Sequence, residues 1–109
     1  MDVKLLALAD STRRAILRRT WDREVSAGRL AEGFAMSRPA VSQHLRVLRE
    51  AGLVSVRKDG TRRLYSARPS GLEDIVQFFD RLWDRRLARL KIEAEAEGLA
   101  LRKARRARR

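Results

Sequence analysis

The sequence predicts a mainly helical domain that carries a single β-hairpin, with its elements in the order ααααββα. Three observations predict it. Apolar residues recur at helical spacing in four stretches before residue 50 and in a long one after residue 71. Between them, 53–58 and 62–67 alternate apolar and polar residues around Asp59-Gly60, the strongest short-range hairpin signal in the chain. No repeat and no Ser/Pro/Gly-rich linker divides the 109 residues, a length that suits one core better than two.

The elements follow in order. Residues 3–8, with Val3, Leu5 and Leu6, make a short apolar helix. Asp10 is the N-cap of a second helix over about 11–21, in which Ala15, Ile16 and Leu17 face the core. Val25 and Ser26 open a third helix, where Ala27, Leu30, Ala31 and Phe34 share a face and which ends near Gly33. In the turn that follows, Ala35 stands where helix-turn-helix turns often hold a left-handed glycine, and Gly33 lies two residues too early.

Ser37 begins the fourth helix. Its hydroxyl suits an orphan N–H of the first turn, and Pro39 sits where a missing N–H costs nothing. At 100° per residue, Val41, Leu45 and Leu48 form one stripe, and Arg38, Pro39, Ser42, Gln43, Arg46 and Arg49 form the opposite one, which has no large apolar residue. His44, the sole histidine, falls beside the core stripe, which favours a packed, hydrogen-bonded ring. Gly52 stops the helix. Third and fourth helices joined so tightly make a helix-turn-helix, and the hairpin after them makes a wing. Val54, Val56, Leu64, Ser66 or their neighbours alternate between its faces, and its tip gathers Arg57, Lys58, Arg62 and Arg63 around Gly60 and Thr61.

After Pro69-Ser70-Gly71 the apolar stripe of Leu72, Ile75, Val76, Phe79, Leu82, Trp83, Leu87 and Leu90 predicts a last helix over 72 to about 97, roughly 39 Å long at 1.5 Å per residue. Phe78 widens that face. A stripe so long and apolar on so small a body is a liability in a monomer, which predicts that part of it buries against a second subunit. The aromatics Phe78, Phe79 and Trp83 read as dimer core in preference to the lining of an effector pocket. The domain then spans 1–98, and 99–109 is a basic tail that either adds non-specific DNA affinity or serves as a disordered solubilising end.

Charge narrows the function. Lys and Arg number 26 against 14 Asp and Glu, a net +12. The tail holds six basic and no acidic residues, which leaves 20 basic and 14 acidic, a net +6, on 1–98. Such a body calls for a polyanionic partner, nucleic acid or an acidic membrane surface. The absence of cysteine removes disulfides and thiolate metal sites and fits a reducing compartment. No stretch is apolar enough for a membrane span or a signal peptide. One isolated histidine, no cysteine and no glycine-rich phosphate loop leave no constellation for an enzyme. The expectation is a soluble cytoplasmic protein without a cofactor, nucleoid-associated when it is bound to DNA.

The stretches ALADSTRRAIL, LAEGFAMSRPAVSQHLRVLREAGLV and GTRRLYS, in that order over nearly the whole chain, closely resemble the ArsR/SmtB family of winged-helix bacterial repressors. The resemblance implies a homodimer paired through its first and last helices, bound to an inverted-repeat operator in double-stranded DNA and released by a signal from a small-molecule or protein effector. It makes the helix begun at Ser37 the recognition helix and places DNA contacts at Arg38, Ser42, Gln43 and Arg46, the face that the helical wheel exposes. Metal-sensing relatives carry a Cys-x-Cys where this chain has Ser26 and Gly28, or Asp and His ligands on the last helix. Neither set is present, and Asp80 and Asp84 one turn apart lack the imidazole or thiolate that a tight transition-metal site needs. The sequence therefore resembles the metal-independent branch.

Arg38 and Gln43 suit base reading, since Arg forks to guanine and Gln to adenine, with phosphate contact as the alternative. Ser42 is small enough to let the helix approach the groove, Arg46 and Arg49 suit phosphates, and Ser37 and Pro39 at the helix start complete the recognition-helix set. The wing residues Arg57, Lys58, Gly60, Thr61, Arg62 and Arg63 are expected along the minor groove. The expected dimer interface comprises Val3, Leu5, Leu6, Ile75, Phe78, Phe79, Leu82, Trp83, Leu87 and Leu90. Two rival readings are a winged helix that binds an acidic protein, with sequence-blind DNA affinity, and an RNA binder, which the core placement of the aromatics disfavours.

Overall fold

A computed structural model of the chain describes residues 1–107, with the side chains of Leu87, Lys103, Ala104, Arg106 and Ala107 outside that description. Its elements are α1 (Asp2–Leu8), α2 (Ser11–Arg19), β1 (Val25–Ser26), α3 (Ala27–Phe34), α4 (Arg38–Glu50), β2 (Val54–Asp59), β3 (Arg62–Ala67), a 3-10 turn (Pro69–Leu72) and α5 (Glu73–Ala107). Met1–Asp74 pack as one unit, and from Ile75 onward the chain is the remainder of α5. None of the described helices is long and apolar enough to cross a membrane.

The helix starts follow from their caps. Asp10 Oδ1 accepts from the backbone N–H groups of Thr12 and Arg13 at 2.8 and 3.0 Å. The Arg13 amide above all, with that of Thr12, holds the Asp10 carboxyl below its ordinary pKa, because both bonds favour the charged form. Ser37 Oγ accepts from Ala40 N–H at 3.3 Å and starts α4 as its sequence position predicts. α2 stops at Arg19, two residues short of the expected Trp21. Thr20 turns its fully buried hydroxyl back to the Ile16 carbonyl at 2.9 Å, and its own carbonyl accepts from Ala67 N–H at 2.9 Å.

Two helix ends share one geometry. After α4, Gly52 N–H donates to Arg49 O and Leu53 N–H to Leu48 O, both at 2.9 Å. After α3, Ala35 N–H donates to Glu32 O at 3.3 Å and Met36 N–H to Ala31 O at 3.1 Å. Both are Schellman motifs, which require a left-handed residue just past the helix. Gly52 supplies it at φ 76° without steric cost, whereas Ala35 adopts φ 52° with a Cβ in place. The helix-turn-helix turn is therefore built on the residue that the sequence marks as unsuited to it.

The sequence misses a strand. Val25 and Ser26 do not open α3; they form β1, opposite Tyr65 and Leu64 of β3, so the sheet is three-stranded and antiparallel in the order β1-β3-β2. A two-residue strand has no period to read, and only the free edge of β3 makes the extended conformation pay. Ser26 instead caps α3, its Oγ accepting from Arg29 N–H at 3.2 Å. In the wing, Asp59 pairs with Arg62, so the turn residues are Gly60 and Thr61 and not Asp59-Gly60. Gly60 alone of the two has positive φ, 63°, the pattern of a II′ turn. Val54 and Val56 lie opposite Ala67 and Tyr65, while Leu64 and Ser66 pair with Arg57 and Ser55 on the other face.

The core of the first unit gathers Ile16 and Leu17 of α2, Leu30 and Ala31 of α3, Val41, Leu45 and Leu48 of α4, and Leu53, Val54 and Tyr65 around the wing's base. α5 extends through Ala107 and not to about Glu97. Gly98 weakens a helix by about 1 kcal/mol relative to Ala, but the Leu, Ala, Arg and Lys that follow are strong helix formers, so it does not terminate. At 35 residues the helix is about 52 Å long. The basic segment beyond residue 98 is helical as far as Ala107, and Arg108 and Arg109 lie outside the described residues.

A Cβ at Gly52 would meet no atom within 4 Å, so the cost of Gly52→Ala is conformational alone. Urea unfolding is expected to show Gly52→Ala less stable by about 1–2 kcal/mol and Ala35→Gly unchanged or more stable by up to about 1 kcal/mol. A loss at both positions would mean that the left-handed residues are not what sets these helix ends.

Candidate nucleic-acid interface

α4 presents the face expected of it. Val41, Leu45 and Leu48 are buried, each 1% exposed or less, and Arg38, Pro39, Ser42, Gln43, Arg46 and Arg49 are all exposed on the other side. Because three side chains of one stripe are locked in the core, the opposite stripe is held rigidly to solvent. Ser37 is also exposed, but its hydroxyl is engaged in the cap. Arg46 pairs with Glu50 one turn on, Nε to Oε1 at 3.1 Å; with both side chains well exposed, such a pair is weak and exchangeable for a phosphate. His44 is half-buried beside the core stripe, and among the described residues its ring makes no hydrogen bond.

The first turn of α3 abuts this face. A Cβ at Gly28 would lie 3.9 Å from the Arg38 guanidinium. Arg29, next to Gly28 and absent from the expected contact set, is exposed on that same turn.

The wing is less uniform than its composition implies. Lys58, Gly60, Thr61, Arg62 and Arg63 are exposed at the tip, with Lys58 opposite Arg63 across the strands. Two like charges so placed repel unless an anion lies between or near them. Arg62 Nη2 is 3.3 Å from Asp59 Oδ2. Arg57 differs in kind: its Nε and Nη2 donate to the two carboxylate oxygens of Glu24 at 2.9 and 3.1 Å. This bidentate fork ties β2 to the segment before β1 and raises the Arg57 pKa, chiefly through the side-chain hydrogen bond to Glu24. No sequence pattern marks a partner 33 positions away; it becomes a neighbour only when β1 joins the sheet.

The apolar residues expected at a subunit interface are mostly uncovered. Val3, Leu5 and Leu6 of α1 are exposed, and so are Phe78, Phe79, Leu82, Trp83 and Leu90 of α5. Ile75, by contrast, is only 7% exposed; the side chain of Leu87 lies outside the described residues. Phe78 and Phe79 meet edge to face, centroids 5.6 Å apart. Val76, Ile92, Leu99 and Leu101 join the exposed set. Among the described residues no group of three or more His, Cys, Asp and Glu side chains is placed to hold a metal ion.

Comparison with known proteins agrees with this geometry. Residues 8–57 match a family model described as a helix-turn-helix domain. The chain is 47% identical over 92 residues to the HTH-type transcriptional regulator Rv2034 of Mycobacterium tuberculosis, covering 84% of this chain and 86% of the relative. It is 38% identical to an arsenical resistance operon repressor of Staphylococcus aureus, over 67% of this chain and 70% of that protein. Among solved structures, an ArsR-like transcriptional regulator from Rhodococcus sp. RHA1 superposes with a TM-score of 0.72 at 36% identity, over 87% of this chain and 90% of that one.

The Glu24 fork has a measurable consequence. Glu24→Gln removes the charge that holds Arg57 and is expected to steepen the dependence of DNA affinity on salt by up to about 0.9 in log–log slope per arginine released to a phosphate. A slope unchanged from the wild type would mean that Arg57 keeps away from the backbone even when freed.

Proposed function

The chain belongs to the ArsR family of helix-turn-helix transcriptional regulators and is a DNA-binding protein of that kind, and from this premise we propose that it acts as a homodimeric repressor on an inverted-repeat operator, its own promoter included. The observation that carries the reading is the exposed polar face of α4, five potential donors and acceptors on a helix whose other face is immobilised in the core.

Arg38 and Gln43 read base edges in the major groove, each bidentate contact contributing about 1–3 kcal/mol of discrimination. Ser42 between them is short enough to let the helix axis come close. Arg46 and Arg49, one and two turns further on, hold phosphates, which sets register and orientation without sequence information. The wing tip follows the backbone toward the minor groove, where Lys58, Arg62 and Arg63 meet negative potential.

Dimerisation uses the exposed apolar side chains of α1 and α5. Two copies of α4 related by a two-fold axis then match two half-sites, so the symmetry of the protein is mirrored in the DNA. Occupying a promoter requires no surface beyond the DNA-binding face, which suits repression. The effector that releases the protein, small molecule or protein, is not specified by any metal-ligand set.

The decisive test is fluorescence anisotropy on a labelled promoter fragment against a scrambled duplex of equal length, through a salt series. A large preference for the promoter that survives physiological salt supports the reading. Gln43→Ala is then expected to shrink that preference about 5- to 150-fold, the equivalent of about 1–3 kcal/mol, while leaving the salt slope in place. Equal binding to both duplexes that vanishes with salt would overturn it in favour of a protein-binding winged helix. The dimer is tested separately: Trp83→Glu places a charge in the apolar α5 face and is expected to give monomers in sedimentation velocity, with operator affinity lost in parallel. A dimer that persists would put the interface elsewhere.

A further inference from the structure

A concavity of about 920 Å³ opens between the end of α2, β1, the first turn of α3 and the return strand of the wing. Arg18, Arg19, Arg23, Arg29 and Arg62 line it. Three carboxylates share the lining, but they do not balance it. Glu24 is already occupied by Arg57, which lies outside the cleft. Arg19 has a structural role as well, its guanidinium resting 5.0 Å from the centre of the Phe34 ring and filling the space above Gly33. Arg18, Arg23 and Arg29 are exposed. Guanidiniums gathered in one concavity repel one another unless an anion takes the space, and their planar forks match phosphate oxygens two at a time.

The position of the cleft says which phosphates. One rim is Arg62 at the wing; the other is the first turn of α3, where Gly28 faces Arg38 of the recognition helix. The cleft is not lined by α4 itself; it runs from the wing, which follows the minor groove, to the turn of α3 that abuts the helix entering the major groove. What separates those two grooves in a duplex is the sugar–phosphate ridge. We propose that this cleft seats backbone phosphates of the operator between and beyond the recognition-helix and wing contacts, with Arg18, Arg23 and Arg29 as DNA-binding residues. The inference rests on the DNA-binding reading above and extends the footprint to α2, which lies outside the helix-turn-helix of α3 and α4. A free phosphate-bearing molecule offers the cleft the same oxygens, so the experiment separates the two sources.

The variant is the full chain with Arg18→Ser and Arg23→Ser, two exposed positions whose loss leaves the core intact; circular dichroism checks the fold. Anisotropy is read on the promoter duplex and on the scrambled duplex across salt. The expected result is a log–log slope flatter by roughly 3 to 4 for two phosphates lost on each protomer of a dimer, at about 0.9 per phosphate on B-form DNA, with the ratio of promoter to scrambled affinity kept within about threefold. A slope equal to that of the wild type overturns the proposal. So does a double variant that binds DNA like the wild type but loses a thermal shift that inorganic pyrophosphate produces in the wild type, an outcome that assigns the cleft to a free anion. A wild type without promoter preference would instead overturn the regulator reading, and the slope comparison on the scrambled duplex would still test the cleft.

Discussion

The burial of Val41, Leu45 and Leu48 is the constraint on which the rest of this molecule depends. These three side chains, spaced four and three residues apart, join α4 to α2, α3 and the base of the wing in one core. A helix fixed along one stripe has no rotational freedom, so its opposite stripe is aimed as well as exposed. Both ends of α4 are closed by local chemistry that preserves this aim. Ser37 caps the start, and the Schellman motif at Gly52 not only ends the helix but packs Leu53 back near Leu48, both fully buried. Deleting a methylene from that stripe would loosen the surface that reads DNA together with the core.

The wing is positioned by a second set of bonds that are mainly backbone. Ala67 N–H reaches the Thr20 carbonyl at 2.9 Å, and Arg68 N–H reaches that of Leu53 at 2.8 Å, so the end of β3 is pinned to the ends of two helices. β1 adds a third strand along β3, and the Glu24–Arg57 fork closes the same edge from the side-chain level. An isolated two-stranded hairpin is marginal in water. Here it is a ledge fastened at its base and along one edge.

Charge is distributed by the same logic. The core-facing stripes carry none, and the arginines concentrate where helix ends and the wing converge. A net charge of +12 guarantees attraction to a polyanion and says little about orientation. Orientation comes from which arginines the fold neutralises: Arg57 is held by Glu24 and Arg46 lightly by Glu50, while Arg38 and Arg49 stand open on the α4 surface. The fold thereby turns a uniformly basic composition into a face with particular donors.

Much of this was legible beforehand because it is local. The Ser37 cap, the 3.6-residue period of α4, the alternation of the wing strands and the breaks at Gly52 and Gly60 depend on neighbours a few positions away, and the sequence alone determined them, along with the polar face of the recognition helix and the resemblance to a repressor family. β1, the early stop of α2 at Thr20, the shift of the wing turn to Gly60-Thr61 and the left-handed Ala35 were decided by tertiary structure. Each depends on a partner distant in the chain or on a helix end whose geometry outweighs the preference of its residue. The arginine cleft is of the same kind: its lining residues read singly as solvated charges on separate elements, and only folding brings them together, because electrostatic coupling follows distance in space and not along the chain.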